Sequence, residues 1–142
     1  METGITRGRL ADQAADRFVS LRRDLGVTSF GINQIILAAG ERGRIHRHKV
    51  QEEVFLVLEG TLTLVVDGDD MQLGEGEIVR VGPEVRRQLV NHGPDRLVLL
   101  ALGGSAEHVG RDGLAYADWD TPEEDARAPQ EVPLPEDLPA RG

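Results

Sequence analysis

The sequence predicts an all-β barrel or sandwich, and three observations carry that reading. From Thr28 onward, short apolar runs are broken at short intervals by Gly, Asp and Pro. Thr61 to Leu64 alternates polar and apolar side chains with period two, the pattern of a half-buried strand. Asp67 and Gly68 lie between two such runs and form a strong hairpin signal. A length of 142 residues suits one domain with a single core.

The elements follow in order. Residues 1–26 are polar and mixed, and Ala11 to Leu25 suits either a short helix or a strand at the barrel edge. The expected strands are about Ser29–Leu37, Arg44–Lys49, Glu53–Leu58, Thr61–Asp67, Met71–Leu73, Ile78–Val81, Arg86–Asn91 and Leu97–Leu102. They place the barrel over residues 27–104. Gly74 and Gly76 flank a tight connection, and Asn91 to Pro94 forms another turn. Residues 105–120 hold the only Tyr and Trp, Tyr116 and Trp119, and are expected to pack on the barrel or across a dimer contact. Residues 121–142 carry five of the seven prolines and few large apolar side chains. Such a segment builds no core of its own, so it is a disordered tail or an arm on a surface.

Composition excludes several classes. There is no cysteine, hence no disulfide, thiol nucleophile or Cys-based zinc site. The net charge is −9, and residues 118–142 alone carry −6 of it. That sign argues against a nucleic-acid partner, which needs a basic patch. The longest apolar runs, such as Leu97–Leu102, are far too short to span a membrane. Met1 to Leu10 lacks the apolar stretch of a signal peptide, so a cytoplasmic protein is expected. No Gly-rich phosphate loop opens a helix, and Ser105 has no evident base and orienter for a serine triad.

The chemistry concentrates between Gly40 and Gly60. His46 and His48 are two residues apart on an expected strand, so they project from one face while Arg47 faces away. Glu53 opens the next apolar run and can turn back toward them. Two imidazoles and a carboxylate suit a divalent transition metal (Mn, Fe, Ni, Zn, Co or Cu) with open positions for water or substrate. Arg44 shares the histidine face and is a candidate anion anchor or a solvated strand-end residue. Gln34 and Gln88 are candidate site-lining amides, although Gln88 should face opposite Arg87. Glu52 would replace Glu53 only if the register shifted by one. His92 is expected at the surface in a turn, and His108 either is structural or caps the barrel mouth.

The spacing resembles the first motif of the cupin family: a glycine, five residues, His-x-His, four residues, a glutamate, six residues and a glycine. Gly40, His46, His48, Glu53 and Gly60 fit it without a gap. The second motif is similar to the stretch from Gly76 to Asn91. Gly82 and Glu84 stand there in place of the Pro and Gly of the family's turn, and Arg87 stands where the family places a fourth ligand, a histidine. The resemblance covers roughly residues 27–104. It implies a double-stranded β-helix, a metal site at His46, His48 and Glu53 inside the barrel, and a homodimer. It extends to dioxygenases and isomerases, and to sugar-sensing domains that need no metal.

Arg87 leaves three arrangements open. In one, three ligands and water hold the metal while Arg87 turns away to bind a small anionic substrate. In another, no metal binds and Arg87 pairs with Glu53 in a sensing or binding module. In the last, Arg87 leans into solvent along its aliphatic stem. A guanidinium about 5 Å from a dication would oppose it by roughly 7 kcal/mol at an effective dielectric of 20, so its position decides how firmly a metal is held.

Overall fold

The computed structural model describes residues 4–13, 17–104 and 112–139. Two facing sheets form a double-stranded β-helix. The first sheet contains β1 (Phe18–Ser20), β2 (Gly31–Leu37), β9 (Leu97–Gly104), β4 (Glu52–Glu59) and β7 (Ile78–Val81), in the order β1-β2-β9-β4-β7. Opposite it, β10 (Gly113–Tyr116) pairs with β3 (Ile45–His48), and β5 (Leu62–Val66) lies between β6 (Asp69–Leu73) and β8 (Gln88–Val90). Bridges from Arg42 to Val90 and from His46 to Arg87 join these two groups. All strand pairs are antiparallel.

Alternation along the strands fills the space between the sheets. Leu37, Phe55, Val57, Leu62, Leu64, Leu89, Leu97, Leu99 and Ala101 form its core. The Asp67–Gly68 hairpin forms as its sequence requires, with φ of 45° and 83° at the two turn residues. Gly60 has φ 84°, and a Cβ there would collide with the Arg96 carbonyl oxygen. Asn91 is buried and ties its turn together through the carbonyls of Leu37 and Asp95 and the Gly93 amide.

The sheets reach beyond residues 27–104 in both directions. Ala11 to Leu25 contains both alternatives the sequence allowed: β1 pairs with the edge of β2, and α1 (Leu21–Leu25) follows it directly. Ser20 caps α1 by accepting from the Arg23 amide, and Gly26 ends it at φ 75°. The segment expected to pack on the barrel or across a dimer contact supplies β10, with Tyr116 buried. His108 and Ser105 lie outside the described residues. The acidic C-terminal segment is an arm along the barrel. Arg44 and Arg42 donate to the Val132 and Glu136 carbonyls, and the Leu138 amide donates to the Gly40 carbonyl. Among the described residues no helix is long and apolar enough to cross a membrane.

Candidate metal centre

Strand β3 turns His46 and His48 inward, and the first residues of β4 bring Glu53 to meet them. Their ligand atoms lie within 4.8 Å of one another, the one such group of acids and histidines among the described residues. His46 Nε2 is 3.4 Å from Glu53 Oε1, and His48 Nε2 is 3.5 Å from Oε2. Two ligand atoms about 2.1 Å from one ion at the tetrahedral angle stand about 3.4 Å apart, so each imidazole stands at a ligand-pair distance from one oxygen of Glu53. Glu52, one residue earlier, faces outward and pairs with Arg80.

Each imidazole is held from behind. His46 Nδ1 donates to the Arg44 carbonyl at 3.2 Å. His48 Nδ1 donates to Asp112 Oδ1 at 2.8 Å. Asp112 is buried, and its other oxygen accepts from the Val50 and Gln51 amides. With Nδ1 protonated in each ring, a neutral imidazole presents its Nε2 lone pair to the centre. Burial would raise the Asp112 carboxyl, but the two amides and His48 outweigh it and hold it below its ordinary value. Burial would likewise raise Glu53, yet the bonds to His46 and His48 and the Arg87 charge keep it well below the carboxylate range. Burial would lower His48, but the bonds to Glu53 and Asp112 raise it overall. The donor set therefore holds either a proton or a cation, and its chemistry fits a divalent transition metal with three protein ligands.

Arg87 does not turn away, and it has no contact with solvent. It stands opposite His46 in a bridge just before β8, where the two backbones exchange hydrogen bonds of 2.9 Å. Its Nη2 donates to Glu53 Oε1 at 2.7 Å, and Nη1 reaches the Gly82, Pro83 and Val85 carbonyls. Its Nε is buried without a partner among the described residues. The guanidinium thus clamps one oxygen of Glu53 and leaves Oε2 toward His48. An anion in the cavity would meet the charge of Arg87 rather than a free donor fork. Arg44 lines the cavity beside His46, with Nε on the C-terminal arm.

The remaining candidates serve the scaffold. The Gln34 amide exchanges two hydrogen bonds of 2.7 Å with the backbone of Ala11, which fastens the N-terminal segment. Gln88 faces away from Arg87, as alternation requires, and donates to the Gly43 carbonyl. Tyr116 packs under Arg86, whose guanidinium lies 3.8 Å from the ring centroid. Sequence reasoning missed Asp112. It lies 64 residues from His48, and its flanking glycine was the only local hint of a constrained turn.

A cavity of about 490 Å³ opens from these groups. Arg17, Phe18, Asn33, Ile35, Leu37, Phe55, Leu89 and Ala101 line it with Arg44, and Pro129, Gln130 and Leu134 of the arm form one side.

Comparison with known proteins agrees with this geometry. The family model for the cupin domain matches residues 33–103. No curated protein matches the chain. A solved cupin protein from Bacteroides fragilis has 24% identity and a TM-score of 0.65 over 77% of this chain and 90% of its own, a likeness of fold. A sugar phosphate isomerase of the cupin superfamily from Silicibacter pomeroyi has 27% identity and a TM-score of 0.57 over 64% of this chain. A provisionally named sugar phosphate isomerase from Acidithiobacillus ferrooxidans has 28% identity and a TM-score of 0.56 over 61%. The match spans 61% and 56% of the lengths of those two proteins. With its fold, its His-His-Glu group and a model match over half its length, the chain belongs to the cupin family.

Proposed function

We propose that this cupin binds one divalent transition metal through His46 Nε2, His48 Nε2 and Glu53 Oε2, and holds a small anionic molecule beside it. The observation that carries the reading is the pair of backside hydrogen bonds, from His46 to the Arg44 carbonyl and from His48 to Asp112, which free both Nε2 atoms. The charge balance supports an anion. Glu53, Asp112 and Arg87 sum to −1, and a dication brings the site to +1. The likeness to two proteins named as sugar phosphate isomerases also supports an anionic ligand. A bound metal would supply Lewis-acid polarisation of a ligand oxygen. Arg87 holds Glu53 in place and adds positive charge, Arg44 offers its guanidinium at the wall, and the apolar lining excludes water.

A metal-free binding role is the second reading, and the 2.7 Å Arg87–Glu53 pair favours it. Elemental analysis of untagged protein purified without chelators separates the two. The first reading expects about one metal per chain, lost in His46→Ala. No metal after dialysis against Mn, Fe, Ni and Zn would overturn it in favour of the second. A homodimer is part of the same proposal. Val54, Leu56, Ile78, Leu100 and Leu102 form contiguous partly exposed aliphatic rows on the first sheet, and light scattering at two concentrations tests whether a second copy covers them.

A further inference from the structure

The cavity wall carries information that the metal reading does not use. At about 490 Å³ it has the size of a small-molecule site. Glu53 is paired across the sheet with Gly103, and two residues further along each strand Phe55 lies opposite Ala101. The inward faces therefore change from polar to apolar one step beyond Glu53. Ile35, Leu37 and Leu89 continue that apolar floor. At the mouth, Phe18 of β1 and Leu134 of the arm are 63% and 45% exposed. Large apolar side chains left wet at the rim of a cavity point to an apolar occupant.

The polar wall is largely committed elsewhere. Arg17 is held by the Arg42 carbonyl and by Glu41, and Arg44 Nε by the Val132 carbonyl. Outside the arginines and the ligand set, the Asn33 and Gln130 side-chain amides are what the wall offers to hydroxyl groups. A polyhydroxylated ligand would bury hydroxyls against Phe55, Leu89 and Ala101 without partners, which opposes binding. With a dication in place Glu53, Asp112 and Arg87 sum to +1, and Arg44 adds positive charge at the wall, so the site calls for a negative headgroup.

We infer that the ligand is an anion with an apolar body, an aliphatic or aromatic carboxylate, rather than a polyol of the same charge. The inference rests on the metal-site reading for its headgroup alone. The carboxylate lies at the His46, His48 and Glu53 end, its body on Phe55 and Leu89, and its far end between Phe18 and Leu134.

Calorimetric titration of zinc-loaded protein with 3-cyclohexylpropionate and with gluconate tests it, since both probes carry one carboxylate. The expected result is cyclohexylpropionate binding at least about tenfold more tightly, with a negative heat-capacity change. Phe18→Ala and Leu134→Ala should each weaken that binding about tenfold while zinc content stays the same. Both residues are exposed, so truncation spares the core. Equal or tighter gluconate binding, unaltered affinity in both variants, or no binding of either probe to the loaded protein would overturn the inference. Zinc per chain is measured in the same samples. If the chain holds no zinc, the metal reading fails separately. The same titration of the metal-free chain then decides the wall, a retained preference for the apolar probe supporting it and a lost one overturning it.

Discussion

Strand β3 separates two charged clusters built from similar residue types. On its inner face His46 and His48 meet Glu53, Arg87 and Asp112. On its outer face Arg47 meets Glu123, Tyr116 and, through Glu123, Arg86. The outer cluster is closed upon itself. Arg47 grips both Glu123 oxygens at 3.0 Å, and the Tyr116 hydroxyl donates to Glu123 at 2.6 Å. Glu123 is half exposed, with the cluster fastening the start of the arm to the barrel. The inner cluster is more enclosed, and its two Nε2 atoms stand 3.4 and 3.5 Å from Glu53 Oε1 and Oε2 respectively. Closed contacts staple a segment, whereas imidazoles held through Nδ1 with both Nε2 atoms only loosely set against one carboxylate leave coordination capacity for a ligand. Side-chain inventory alone would not distinguish the two.

Substitutions at matched positions in the two clusters should break this symmetry. The largest effect is expected from Glu53→Ala. It strands a guanidinium with no solvent contact, and breaking a buried pair in that way costs about 3–5 kcal/mol. Urea denaturation should register that loss, while Glu123→Ala should cost no more than about 1 kcal/mol. Next is Asp112→Asn. The amide oxygen still accepts from the Val50 and Gln51 N–H groups, but the new NH₂ faces His48 Nδ1 and drives the ring proton to Nε2. Metal affinity should fall by about 10–100-fold in a chelator competition titration, and nitrogen NMR of the ring should register the changed tautomer. Unaltered affinity would reduce Asp112 to a backbone anchor.

Arg87→His sharpens the comparison from the other side. It removes a cation and supplies a third imidazole as a fourth ligand, so metal affinity should rise by about tenfold or more. No change would mean that position 87 lies out of reach of the metal. The smallest effect is a pH dependence of the outer cluster. Hydrogen bonds from Arg47 and Tyr116 hold Glu123 down to about 2, against an ordinary 4.5. A depressed acid stabilises fully above its unfolded value and loses that contribution as pH falls through its folded one. The melting difference between wild type and Glu123→Gln should therefore be steady from pH 7 to 5 and shrink toward pH 2.5.

The eight strands from β2 to β9 were legible because each carries its own apolar run or turn signal, as at Asp67 and Gly68. The inward convergence of His46, His48 and Glu53 was legible because period-two alternation and the spacing between two glycines are local properties. Asp112 was not, since nothing near it in the chain announces that β10 will pair with β3. β1 lies in a stretch that suits a helix as readily as a strand, and α1 does follow it directly. The docking of the arm was hidden for another reason. Arg42 and Arg44 hold it through backbone carbonyls, which every residue possesses and no composition reveals. The contacts of Arg87 were open in the sequence because a strand fixes the face of a long side chain but not the partner its tip will choose.

Anomalous diffraction from metal-loaded crystals, collected at the absorption edge of the ion, tests the central claim most directly. The account predicts a single strong peak among His46 Nε2, His48 Nε2 and Glu53 Oε2, with Arg87 still on Oε1 and Asp112 still behind His48. A peak elsewhere, or none in the barrel at full loading, would contradict it.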